Sequence, residues 1–218
     1  MKEVNRLSTK KKRKVLKWKR VAALFFAVCS IIIFSAAFVL LSDDSYMGKT
    51  LDLLEENGMP MELEIPDENI SIYKKAGEEY NMDWRLLAAH HRVETRFSTM
   101  DTLVSPVGAE GHMQFMPCTF IGWTHPSCEG LGEGNIPQEE LTDPAAIEMY
   151  GGYGVDANND GVADPYDLED AVFSAANYLS QNGASDGELE KAIFLYNRSD
   201  EYVEDVLGFY EDYKNKHP

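Results

Sequence analysis

After Pro66 the chain alternates between stretches of helical apolar spacing and stretches with none. Ile70, Tyr73, Ala76 and Tyr80 recur at intervals of three and four and predict a first helix. Trp84, Leu87 and Ala88 fall at i, i+3 and i+4, and Leu86, Ala89 and Val93 widen the stripe of a second helix. Asp83, just before it, has the short acceptor side chain that an N-cap requires. A third pattern runs from Leu168 through Val172, Ala175, Ala176 and Leu179, and Gly183 ends it. Two more follow, one over 189–196 and a last one over 202–210. Residues 98–165 are rich in Gly, Pro, Ser, Thr, Asn and Asp, and predict loops with short helices between them. The period-2 alternation of strands is nearly absent. The expected fold is therefore mostly α, one domain over 67–214 with long loops in its middle.

The first third of the chain has a different pattern. Residues 21–41 are 21 consecutive uncharged and nearly all apolar positions. A bilayer-spanning helix needs about 20, whereas the apolar core of a cleaved signal peptide usually has about 7–15. The expectation is a transmembrane anchor, with a cleaved signal or a buried soluble helix as the alternatives. Charge orients it. Residues 1–20 hold ten of the 20 Lys/Arg and one of the 37 Asp/Glu, so the arm is strongly basic and everything after it strongly acidic. The positive-inside rule puts the basic arm in the cytoplasm and the C-terminal domain outside the cell membrane. Residues 42–66 read as an acidic stalk. Such an acidic body repels phosphate backbones, so no nucleic acid partner is expected. No Cys follows the apolar segment closely, and nothing suggests a lipid-attached terminus. Cys29 lies within the span; Cys118 and Cys128 lie outside it, ten apart, as either a disulfide or two separate thiols.

Candidate chemistry begins at Glu94. Leu87, His91 and Glu94 fall at i, i+4 and i+7 and share one helix face. A carboxyl on a core-facing stripe that opens to a cleft loses solvent, and its pKa rises. A general acid at neutral pH needs such a shift. Alone this would say little, since most helical Glu residues are simply solvated. Within a dozen residues, however, comes 105–117, SPVGAEGHMQFMP, and much later 192–197, AIFLYN.

In these segments the chain resembles the lytic murein transglycosylase and goose-type lysozyme superfamily. That superfamily shows a helix ending in Glu-Ser-x-Phe, a Ser-x-x-Gly-Ala-x-Gly-Leu-Met-Gln-x-Met-Pro segment and an Ala-x-x-x-Tyr-Asn motif. All three occur here in the same order, over roughly residues 66–210. The resemblance implies a lysozyme-like α domain that acts on peptidoglycan, with Glu94 as its single acid/base. Ser105, Met113, Gln114, Met116, Tyr196 and Asn197 become the candidate substrate-binding residues. Gly108 and Gly111 allow a tight turn and close approach of backbone to a sugar. Gln114 offers both donor and acceptor. Met113 and Met116 suit a sugar face or the core equally well. Ser105 is a candidate partner of Glu94 or of substrate, and Tyr196 another, unless its ring only packs; Asn197 caps a helix end or binds sugar. Many glycosidases use two carboxylates; the family implied here uses one, and its product is a 1,6-anhydro sugar. Thr95 and Arg96 replace the usual Ser and small residue, His112 replaces Leu, Cys118 replaces Ser or Ala, and Phe120 replaces Trp.

A second signal is residues 156–167, DANNDGVADPYD. Oxygen-bearing side chains fall at positions 1, 3, 5, 9 and 12 with Gly at 6, the spacing of an EF-hand calcium loop apart from Asp in place of Glu at 12. One branch of the membrane-bound lytic transglycosylases carries a longer loop whose last ligand is at position 15, here Asp170. The expected ligands of a structural Ca²⁺ are Asp156, Asn158, Asp160, Val162 and Asp170, with Asp164 and Asp167 as alternates. The other outcome is a metal-free polar turn. His90 and His91 have no Cys or His at ligand spacing, and zinc is not expected. No cofactor is required by the chemistry. The expected function is thus a peptidoglycan lytic transglycosylase that cleaves the MurNAc-GlcNAc β-1,4 bond. Its alternatives are a hydrolytic muramidase on the same bond and a calcium-dependent wall-binding module without catalysis.

Overall fold

The computed structural model describes residues 64–218, so the basic arm, the apolar segment 21–41 and the stalk up to residue 63 lie outside the described residues. Within that range there are helices and loops, and β structure is confined to two isolated bridges. No helix among the described residues is long and apolar enough to cross a membrane.

Helix α1 (Asp67–Glu79) starts right after Pro66 with two acids in its first turn, where they complement the helix dipole. Its buried face carries Tyr73 and Ala76. A tight turn through Asn81, at φ 51°, leads to α2 (Trp84–Thr95). Asp83 caps α2 as predicted: its carboxylate accepts from the Arg85 amide at 3.0 Å and from the Arg85 guanidinium at 2.8 Å. Helix α2 is the centre of the domain. Leu86, Leu87, Ala88, Ala89, His90 and His91 on it are all buried, and no solvated face of ordinary width remains.

Three short helices lie in the Gly/Pro-rich middle: α3 (Pro117–Ile121), α4 (Gln138–Leu141) and α5 (Pro144–Tyr150). Helix α6 (Leu168–Gln181) is capped by Asp167, which accepts from the Glu169 and Asp170 amides at 2.9 and 3.1 Å. Its Val172, Ala175, Ala176 and Leu179 are fully buried. A 3₁₀ turn (Ala184–Asp186) joins it to α7 (Leu189–Tyr196), and α8 (Asp200–Lys216) closes the domain. Helix α8 is longer than the predicted 202–210, because its buried stripe of Tyr202, Val206 and Tyr210 continues to Tyr213. Helices α1, α6 and α8 all pack on α2. Cys118 and Cys128 are joined in a disulfide, Cα–Cα 5.6 Å, which settles the open pairing. Closing so short a loop contributes roughly 3 kcal/mol by the chain-entropy relation.

Candidate active site

Glu94 sits in the last turn of α2, half-buried. Burial raises its pKa from the ordinary carboxyl range to about 7, and a hydrogen bond from Tyr202 opposes part of that rise. No second carboxylate is among the causes of the shift. The Tyr202 hydroxyl, on the first turns of α8, donates to Glu94 Oε1 at 2.5 Å. Its oxygen lies 3.0 Å from His90 Nδ1. A hydroxyl has one proton; with that proton on the Glu94 carboxylate, His90 Nδ1–H is the donor to Tyr202. His90 is fully buried, and burial pushes its pKa down to about 3, so it is neutral. His90 Nε2 is then a buried lone pair, with no hydrogen-bond partner.

The helix ends abruptly after Glu94. Arg96, Phe97 and Ser98 have φ of 51°, 57° and 65°, three consecutive side-chain-bearing residues in the left-handed region. Each costs on the order of 1–2 kcal/mol relative to right-handed backbone. The turn is held by Arg96 N–H to Arg92 O at 2.9 Å, Phe97 N–H to His91 O at 3.3 Å and Thr99 N–H to Thr95 O at 3.1 Å. Buried Phe97 stands edge-on to His91, 5.5 Å between ring centres.

The predicted site residues divide into groups. Tyr196 lies close by: its ring is parallel to that of Tyr202 at 6.5 Å and 5.1 Å from that of His90. The negative charge of Glu94 helps to hold the Tyr196 and Tyr202 hydroxyls neutral, after burial. The Tyr196 hydroxyl itself donates to Met113 O at 2.7 Å, so the bond to Glu94 that was open to it belongs to Tyr202 instead. Met113 is fully buried, which selects the core role for its side chain; Met116 is half-buried before α3. Ser105 closes a turn, its Oγ accepting from the Ala109 amide at 2.8 Å. Gln114 Nε2 donates to Leu103 O and Gly111 O at 3.0 and 2.8 Å. Both therefore build the 103–115 hairpin, whose isolated bridges pair Glu110 with Val104 and Phe115. Asn197 is exposed at the end of α7. Tyr202 and His90 were not anticipated as site residues. Tyr202 carries only the signal of a helix-face aromatic, and its partner is 108 residues away in sequence.

The 156–170 loop packs directly against that hairpin. A Cβ on Gly111, at φ 78°, would lie 2.0 Å from Pro165 O, so only glycine fits there. Within the loop Asp156 accepts from the Asp160 and Gly161 amides, Asn158 also from Asp160, and Asp160 from Val162. Buried Asp170 accepts from the Ala157 and Asp164 amides at 2.8 and 2.9 Å. Burial raises its pKa and these bonds oppose the rise. Asp167 is occupied as the α6 cap, and Asp164 Oδ1 accepts from the Tyr166 amide. Of the two candidates for closing the loop, Asp170 is thus the one turned into it. In this conformation no three acidic, His or Cys side chains among the described residues converge at metal-ligand distance. The donor set, all oxygen around a buried carboxylate, nevertheless fits a hard cation.

In comparisons with known proteins, the chain matches no family model, no curated protein and no solved structure, so the resemblance in its motifs stands on the residues themselves.

Proposed function

We propose that the chain is a peptidoglycan lytic transglycosylase that cleaves the MurNAc-GlcNAc β-1,4 bond with Glu94 as sole acid/base. The observation that carries this reading is a half-buried carboxyl, held by Tyr202 and raised by burial to a pKa of about 7, with no second carboxylate among the groups that shift it. At neutral pH such a group is present in both forms and can give and take a proton in one cycle. The protonated Glu94 donates to the glycosidic oxygen as the C1–O bond breaks. The resulting carboxylate then removes the proton of the C6 hydroxyl of the same muramoyl residue. The C6 oxygen bonds to C1, which yields the 1,6-anhydro ring and regenerates the acid. Between these steps the substrate's own N-acetyl group would stabilise the cation at C1, so no protein nucleophile is required. Tyr202 holds one oxygen of the carboxyl, leaving the other to face the substrate. Tyr196, Ser105 and Gln114 act through the frame they build, with Met116 and Asn197 as the residues left to touch sugar.

Asp156, Asn158, Asp160, Val162 and Asp170 would hold a Ca²⁺, whose contribution is to neutralise clustered acids and fix the loop. Residues 21–41 would anchor the chain in the cell membrane by a single pass, with the domain outside and peptidoglycan within its reach. The deciding experiment is digestion of purified peptidoglycan by the wild type and by Glu94→Gln. Cleavage by the wild type and its loss by several orders of magnitude in the variant are expected; equal activity would remove Glu94 from the mechanism.

A further inference from the structure

His112 uses all four of its polar atoms, two in each direction. Its amide donates to Pro165 O at 3.0 Å and its Nε2 bonds Tyr166 O at 2.8 Å, both within the 156–170 loop. Its carbonyl accepts from Thr95 Oγ1 at 2.8 Å and its Nδ1 lies 2.5 Å from Ser98 Oγ, both at the end of α2. Thr95 directly follows Glu94, and Ser98 is the last residue of the left-handed turn. Ser98 reaches on to His91 Nε2 at 2.8 Å, and His91 Nδ1 to the Tyr73 hydroxyl at 2.6 Å.

One fixed end sets the direction of the whole chain of bonds. The Tyr166 carbonyl can only accept, so a neutral His112 ring carries its proton on Nε2 and accepts on Nδ1. Ser98 must then donate to His112 and accept from His91 Nε2–H. His91 therefore accepts on Nδ1, and Tyr73 donates to it. Every member is satisfied in this arrangement. His91 is buried and neutral, as the arrangement requires.

We propose that His112 and Ser98 are positioning residues for Glu94, clamping the left-handed turn that follows it onto the backbone of the 156–170 loop. The inference rests on Glu94 being the acid/base. Arg96, Phe97 and Ser98 would leave the left-handed region if nothing held them there. Ser98 is held by its side chain, between His91 and His112, and by its amide on Thr95 Oγ1 at 3.2 Å. Thr95 Oγ1 is itself oriented by the His112 carbonyl. Without the clamp the last turn of α2 opens, water reaches Glu94, and the carboxyl reverts toward its ordinary range. The other titratable groups acting on Glu94, Tyr202 from α8 and Tyr196 from α7, with His90 behind Tyr202, are untouched by such a change.

The test uses the full chain with His112→Leu and, as the smaller deletion, Ser98→Ala. The Glu94 carboxyl is titrated by carbon-detected NMR, its signal identified by its absence in Glu94→Gln. In both variants the midpoint should fall by about one pH unit or more, and the alkaline limb of peptidoglycan cleavage should move down with it. An unchanged midpoint in a folded variant overturns the proposal, since loss of stability alone lowers the active fraction without moving the midpoint. If neither variant folds, nitrogen NMR of the wild type decides: protons on Nε2 of both His91 and His112 support the clamp, and the opposite tautomers refute it. None of these titrations needs substrate, so a wild type that cleaves nothing would discard the enzymatic reading and leave the clamp to be judged separately.

Discussion

The Tyr202 hydroxyl donates to Glu94 Oε1 across 108 residues of sequence and ties the last helix of the domain to the end of its central one. The bond favours the charged carboxylate and so works against the burial that raises the Glu94 pKa to about 7.

Tyr202→Phe removes that opposition. The Glu94 pKa should rise further, and the alkaline limb of the pH profile of kcat/KM should move to higher pH. The sign is opposite to that expected for His112→Leu. A limb that stays in place would show that the hydroxyl does not tune the acid.

Glu94 also makes stability depend on pH. Its folded pKa of about 7 lies above its unfolded value, so the folded state binds more protons between the two. Its contribution is fully present below the unfolded pKa and is lost as pH rises through the folded one. Glu94→Gln stays neutral throughout. The variant should match the wild type in melting temperature near pH 4 and exceed it near pH 8, by up to about 3 kcal/mol in free energy. Thermal unfolding at the two pH values checks this; a variant less stable than the wild type at pH 8 would contradict the raised carboxyl.

Much of this framework was legible from spacing. Helices α1, α2, α6 and α7 are eight residues or longer, enough for their apolar spacing to show, and Asp83 announces the cap of α2. Helix α8 was underestimated because its last turns, around Tyr213, are otherwise polar. Helices α3, α4 and α5 have 5, 4 and 7 residues, too few to display a period. Glu94 could be found because its motif is contiguous with its helix. Tyr202, His90 and the Ser98–His112 pair could not, because each depends on an approach between segments distant in sequence. The motif makes Ser105 and Gln114 candidate substrate-binding residues, whereas in the fold their side chains hydrogen-bond the hairpin's own backbone.

The 156–170 loop should bind Ca²⁺ and stabilise the fold by mass action, by about 2.7 kcal/mol at a hundred times the dissociation constant. Thermal unfolding in calcium and in chelator should differ for the wild type and coincide for Asp156→Ala and Asp160→Ala. Asp170→Ala should differ from both. It strands the Ala157 and Asp164 amides, at about 1–3 kcal/mol each, and should therefore melt earlier even in chelator. Identical wild-type melting with and without calcium would leave the loop an ordinary polar turn.

Residues 21–41 should keep the chain in the membrane with its basic arm inside. Protease added to wall-stripped cells should remove the domain and spare the first 20 residues. A mature protein found free in the medium, starting near Ser42, would show cleavage instead.

The most direct measurement of the central claim is mass spectrometry of the fragments released from purified peptidoglycan. A single carboxyl that returns its proton from the C6 hydroxyl predicts 1,6-anhydro-muramoyl ends, produced by the wild type and missing with Glu94→Gln. Reducing muramoyl ends would instead mean that water attacks C1 and the chain is a hydrolase; an absence of any cleavage by the wild type would contradict the enzymatic account altogether.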